Sequence, residues 1–262
     1  MFQPVIPMSG LAGWIFLQRT ADSQIEAFDN STRIVRDTEY FEQTIGQITS
    51  AEELVEDRRL LRIALGAFGL QDDLDNRFLI RTVLEQGTEA SNSLANRLSD
   101  HRYAQLSDAF GFGNVGGARV QDPQFASSIT AKFRTRSFEV AVGEQNEAMR
   151  LSLNADRELA DLATGDESED TKWFRILGTP PLRAVFETAL GLPQGVGQLD
   201  IDRQLEIFKE KSRSTLGLDS INDLSAESAR EDLVRAYLVR DQIKGISFQS
   251  SISIALTLLQ VP

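Results

Sequence analysis

No cysteine occurs in the 262 residues. Disulfides, thiolate nucleophiles, iron–sulfur clusters and cysteine-ligated zinc are thereby excluded. Histidine is almost as scarce, with one example, His101. A Ser-His-Asp triad or an imidazole-rich metal site would have to rest on that residue alone. Between Asp100 and Arg102, His101 reads as a surface or capping residue. Basic residues are in deficit, 27 Lys and Arg against 39 Asp and Glu, for a net charge of -12. The average field repels polyphosphate backbones and anionic lipid surfaces. The best basic cluster, Lys132, Arg134 and Arg136, alternates along the chain and is followed by Glu139 and Glu144. It does not argue for a nucleic-acid partner. Long hydrophobic runs are missing too. The most apolar N-terminal stretch, Leu11-Ala-Gly-Trp-Ile-Phe-Leu17, falls far short of the roughly 20 residues that span a bilayer. No basic residue precedes it, so neither a secretory signal nor a membrane anchor is expected.

What is present suits a helical core. Hydrophobic residues make up 41% of the chain, enough to bury a substantial interior. The phenylalanines sit mostly at helix-stripe positions, where core packing is the default reading. Ser50-Ala-Glu-Glu53 reads as a capping box, the Ser50 hydroxyl capping the Glu53 amide and the carboxylate reaching back to Ser50. Leu54, Leu61, Leu65 and Phe68 then form one apolar stripe. Asp122-Pro123 and Thr179-Pro180-Pro181 each place a capping residue before proline, a helix start. After Pro123 no further proline and only Gly143 interrupt the chain to about Ala163. The expectation is one long central helix over about 122–163, bent at Gly143.

A short stop signature recurs four times: Ala67-Phe-Gly-Leu70, Ala109-Phe-Gly-Phe112, Ala189-Leu-Gly-Leu192 and Thr215-Leu-Gly-Leu218. Glycine takes the left-handed conformation and the next apolar residue folds back on the last turn. Leu61-Arg62 and Leu182-Arg183 precede the first and third copies at similar distances. That spacing leaves a degenerate duplication and a common helix-stop habit both open. The acidic stretch from Ala163 to Asp170 is poor in apolar residues and marks the expected division into residues 1–165 and 166–262, unless the domain is continuous.

From Ile246 the chain alternates: Ile246, Phe248, Ile252, Ile254, Leu256 and Leu258 fall on even positions and mainly Ser, Gln and Thr between them. Period-two patterning predicts a strand, with Phe2 to Met8 as its natural edge partner, Pro4 and Pro7 confining that segment to an edge. A terminal helix is the alternative. Left unpaired, those six apolar residues form a candidate interaction surface.

Three strings carry weaker chemistry. Gly111-Phe-Gly-Asn-Val-Gly116 spells a dinucleotide fingerprint, but the residues before it look helical, whereas the motif needs a preceding strand. Gln71-Asp-Asp-Leu-Asp-Asn76 lacks the glycine a calcium loop requires at its sixth position, and reads as an acidic approach to a helix N-terminus. Asn30-Ser-Thr32 fits a glycosylation sequon, which means little without a secretory signal. No catalytic, cofactor-binding or metal-ligating residue is assigned, and no cofactor is expected.

The run from Asn92 to Gly113, Asn-Ser-Leu-Ala-Asn-Arg-Leu-Ser-Asp-His-Arg-Tyr-Ala-Gln-Leu-Ser-Asp-Ala-Phe-Gly-Phe-Gly, resembles an alphaproteobacterial family catalogued as a domain of unknown function, number 1217. Thr38-Glu-Tyr-Phe41, Ala67-Phe-Gly-Leu70, Val140-Ala-Val-Gly-Glu-Gln-Asn146 and Leu182-Arg-Ala-Val-Phe-Glu-Thr-Ala-Leu-Gly-Leu192 support the likeness. The resemblance implies a flagellar context, because such proteins are typically encoded among flagellar genes. It transfers no functional residue. The expectation is an all-α, multi-helix array that acts as a non-enzymatic flagellar structural or assembly protein through protein partners, without membrane insertion. The alternatives are a cytoplasmic chaperone or regulator of flagellar export, or an enzyme using carboxylates or a metal. The compartment stays open between cytoplasm and flagellum.

Overall fold

The computed structural model describes residues 2–259, with side chains through Gly245 except that of Gln194. The described residues form thirteen α-helices and no strand. In order these are α1 Gly10–Asp29, α2 Thr32–Thr44, α3 Ala51–Glu56, α4 Arg58–Ala67, α5 Arg77–Gln86, α6 Leu94–Arg97 and α7 Arg102–Phe110. Then follow α8 Phe125–Gly143, α9 Glu147–Thr164, α10 Glu169–Leu177, α11 Pro180–Ala189, α12 Ile201–Leu216 and α13 Glu227–Leu259. The all-α expectation holds.

Contacts divide the chain into two compact units. The first comprises Met1–Val5 and Arg19–Glu144, the second Ile6–Gln18 and Gln145–Pro262. The acidic stretch after Ala163, where the sequence suggested a division, is the α9–α10 connection within the second unit. There Ser168 caps α10 by accepting the Thr171 N–H. In the first unit α4 packs along α8, and α2 packs on both. Phe41, Leu60, Leu61, Leu65, Phe110 and Phe138 are buried there. In the second unit α9, α11 and α13 pack on one another, with a 3-10 turn at Ile221–Ser225 laid against α9. Its interior includes Leu159, Trp173, Phe186, Phe208, Leu233 and Leu238. Trp173 and Phe186 meet edge to face at 5.6 Å.

All four predicted helix stops have glycine in the left-handed region: Gly69 at φ 72°, Gly111 at 70°, Gly191 at 65° and Gly217 at 69°. After two of them the backbone closes back by five residues, Leu70 N–H to the Leu65 carbonyl and Leu192 N–H to the Glu187 carbonyl, both at 2.9 Å. This is the Schellman geometry.

Three expectations are corrected. The single helix over 122–163 is two helices, because Asn146 adopts an extended conformation (φ -153°, ψ 104°) and its side chain accepts the Met149 N–H at 3.1 Å. An N-cap asparagine competes with helix continuation, so the chain breaks after Gly143 rather than bending. Its start also shifts, with the Asp122-Pro123 turn preceding a helix that begins at Phe125. The terminal strand is absent: α13 runs helically through Leu259. Extending a helix already anchored by buried Leu233, Val234, Tyr237 and Leu238 adds one hydrogen bond per residue ordered. Gly245 weakens such a helix by only about 1 kcal/mol, and no proline intervenes before Pro262. Local alternation was therefore outweighed by continuity. Residues 2–7 form no strand. Instead the Gln24 side chain takes over the pairing of Val5, accepting its N–H at 2.6 Å and donating to its carbonyl at 3.3 Å.

Candidate interaction site

Within the first unit, α8 turns one stripe toward α2 and α4. Phe133, Arg136, Ser137, Val140, Ala141 and Glu144 recur at helical spacing along it. They form one wall of a cleft of about 220 Å³, open to solvent on one side. Phe28 from the end of α1, with Arg33 and Ile34 from α2, form a second wall. Arg62 and Gly66 of α4 contribute with Gln71, and the N-terminal residues Phe2 and Gln3 complete the lining. The lining is mostly apolar, with charge gathered at the arginines and Glu144.

Local chemistry explains why the walls meet. Gly66 lets α4 and the Phe133 ring approach, since a Cβ at that position would stand 2.8 Å from the Phe133 ring. Phe28 meets Phe138 edge to face at 5.7 Å. Arg134 fastens α8 to its neighbours, donating from Nη2 to Thr38 Oγ1 at 2.7 Å and from Nη1 to the Asp29 carbonyl at 3.1 Å. Burial pushes the Asp29 carboxyl above its ordinary range, a rise that Arg134 opposes. Thr130 adds a bond to Glu42 at 2.8 Å.

Beside the cleft lies Asp37, whose side chain is 3% exposed. Arg62 Nη2 approaches it at 2.9 Å, Arg33 Nε at 3.8 Å and Arg59 Nη2 at 3.9 Å. One buried carboxylate thus organises three guanidiniums from α2 and α4. Such a pair fixes geometry more than it adds net stability. The Arg62 Nε is buried with no hydrogen-bond partner.

In the second unit buried Lys172 and half-buried Glu169 and Arg230 serve as structural ties. Lys172, 2% exposed, donates to the Ala163 carbonyl at the end of α9 and to Asn222 Oδ1. Glu169 accepts from Trp173 Nε1, the Ser220 hydroxyl and the Ile221 N–H, all between 2.8 and 2.9 Å. Arg230 bridges Asp156 and the carbonyls of Leu224 and Ser225.

The residues weighed in the sequence fall as follows. His101 stands at the start of α7 without a capping bond from its side chain. The Gly111–Gly116 string follows a helix, not a strand, and forms a tight loop in which Asn114 Oδ1 accepts the Thr88 N–H at 2.8 Å. Asp73 accepts from Tyr103 and Asp75 from Arg58. Among the described residues no group of three or more Asp, Glu or His could hold a metal, and no helix is long and apolar enough to cross a membrane. The side chains of Ile246, Phe248, Ile252, Ile254, Leu256 and Leu258 lie outside the described residues. The cleft had no signal in the sequence, since its lining is drawn from five separate segments.

The profile of a family described as "Protein of unknown function (DUF1217)" matches residues 67–228. The chain belongs to that family. The DUF1217 match runs from the end of α4 to the start of α13 and includes the cleft wall of α8, whereas the α1 and α2 walls precede it. A crystal structure of a protein from Agrobacterium tumefaciens is similar with a TM-score of 0.74 at 23% identity, covering 92% of this chain and 99% of that one. At that identity the likeness speaks for the fold. No curated protein matches this DUF1217 chain.

Proposed function

We propose that this DUF1217 protein is a non-enzymatic, flagellum-associated structural or assembly protein that works through contacts with other proteins. The observation carrying this reading is the contrast between its polar groups and its cleft. Asp37, Lys172, Glu169 and Arg230 are each engaged in holding helices together. The cleft offers a mostly apolar lining edged by arginines and Glu144. Small apolar recesses with charged rims are the anchor points of protein interfaces. The flagellar context rests on the family resemblance, whose members are typically encoded among flagellar genes.

The test is fractionation of cells carrying an epitope-tagged chain. The protein is expected in purified basal bodies or culture supernatant, and is expected to leave both when flagellar export is disabled. A protein that stays cytoplasmic and co-purifies with an exported subunit would be an export chaperone instead. Unaltered motility in a deletion strain, with no flagellar association, would end the flagellar reading.

A further inference from the structure

We infer that this chain associates with a second copy of itself, the Phe78 ring of one protomer entering the first-unit cleft of the other while Arg77 meets Glu144. This rests on the protein–protein reading and names one partner, another copy of the chain.

Exposure, size and charge carry the inference. Among the described side chains Phe78 is the one exposed aromatic, at 76%. It stands on the first turn of α5, a helix packed on α3, α6 and α7, so the ring is displayed from a fixed support. It does not line the cleft of its own chain. A cavity of about 150 Å³ holds a benzene ring. The cleft, at about 220 Å³, lies above that and below the roughly 300–1,000 Å³ of small-molecule sites. Phe28, Ile34 and Phe133 give an entering ring apolar and edge-on neighbours. Of the charged residues in the lining, Arg33 and Arg62 approach Asp37, and Arg136 has an interaction of its own. Glu144 is exposed and makes no ion pair among the described residues. Arg77, exposed beside Phe78, makes none either. The ring thus carries a free cation next to it, and the recess carries a free carboxylate at its edge. Two chains of net charge -12 repel, so their association needs such a local match. At about 0.15 M salt the Debye length of roughly 8 Å screens whole chains from each other while adjacent charges still attract. Ring and cleft lie on different elements, so a chain deprived of one half of the contact still offers the other.

The experiment is sedimentation equilibrium of the full chain at about 0.15 M salt, where association that grows with concentration is expected. Phe78→Ser, which removes the ring, and Ala141→Trp, which fills the cleft from α8, are each expected to weaken it about tenfold or more at unchanged helical content. An equimolar mixture of those two variants is expected to regain a one-to-one pair. Arg77→Glu and Glu144→Arg are each expected to weaken association, and the chain carrying both to recover it. Both reversals suit the helix ends they occupy, an acid in the first turn of α5 and a base after the last turn of α8, so folding is preserved. Should Ala141→Trp not fold, Phe78→Ser and the charge reversals decide the matter. A chain that stays monomeric up to about 1 mM overturns the inference. So does association that Phe78→Ser leaves unchanged, which would place the contact elsewhere, and so do charge reversals that stay weak when combined. Because the purified chain is used, self-association without flagellar association sinks only the flagellar reading, and the reverse result sinks only this one.

Discussion

Tyr40 donates its phenolic hydrogen to Asp57 Oδ2 at 2.5 Å, tying the middle of α2 to the residue that opens α4. Asp57 also accepts from the N–H groups of Arg59 at 2.8 Å and Leu60 at 3.0 Å. Arg59 lies over the Tyr40 ring at 3.7 Å. The cap and the tertiary contact are one unit. Asp57→Ala is expected to destabilise the fold by about 1–2 kcal/mol, and Tyr40→Phe by about 1 kcal/mol. The double variant should lose less than their sum in urea titrations.

The same carboxylate gives an acid limb. Burial raises the Asp57 pKa, but hydrogen bonds from Tyr40, Leu60 and Arg59 outweigh it and hold the group below its ordinary 3.8. A carboxyl depressed in the folded state contributes stability that is present above its unfolded value and lost as pH falls through the folded one. The urea midpoint is therefore expected to drop as pH falls below about 4, and the drop should shrink in Asp57→Asn.

Alkali supplies a second titration. All three tyrosines are raised: Tyr40 by its bond to Asp57, Tyr103 by burial and its bond to Asp73, up to about 12, and Tyr237 by burial with Asp241 and Glu147 nearby. Groups raised in the folded state contribute stability below the unfolded pKa, near 10, that disappears as pH rises through the folded values. Phenolate absorbance is expected to appear together with loss of helical circular dichroism. Free titration of the phenols near pH 10 with the helices intact would contradict this.

Lys172 should be sensitive to loss of its charge alone. Methionine keeps the buried stem and removes the ammonium that ties the end of α9 to Asn222. Lys172→Met is expected to lose about 1.5–3 kcal/mol, the range for hydrogen bonds to charged groups, as measured by urea denaturation.

The fingerprint-like loop gives a sharp pair. A Cβ on Gly113 would lie 2.3 Å from the Glu85 carbonyl, whereas Gly116 has open space around it. Gly113→Ala is expected to lose about 1–3 kcal/mol, and Gly116→Ala to stay within about 0.5 kcal/mol of the parent. A string used for phosphate binding would place its demand on close backbone approach by a ligand, not on Glu85.

These cases show what the sequence could disclose. The four glycine stops were legible because a left-handed residue and its following hydrophobe are a local requirement. The Ser50 cap was legible as well, although Glu53 reaches one residue beyond it, to the Thr49 N–H at 2.7 Å. The break before Asn146 was read as a bend because a lone glycine, Gly143, marks it, whereas what ends the helix is a side chain able to compete for the Met149 amide. Asp37 and its three arginines, and the Phe28–Ile34–Phe133 lining, depend on segments brought together by tertiary packing. No spacing along the chain encodes them. At the C-terminus alternation suggested a strand, and the helix already begun at Glu227 decided otherwise.

The second unit draws on residues 6–18 and again on 145–262. A ribosome delivers those pieces far apart in time, with the whole of Arg19–Glu144 emerging between them. The opening turns of α1 must therefore wait, with Trp14 and Leu17 not yet covered, until the chain beyond Glu144 has emerged. Neither unit can be excised intact as one uninterrupted fragment, and a nascent chain stalled after Glu144 would carry an apolar helix end that a chaperone could hold.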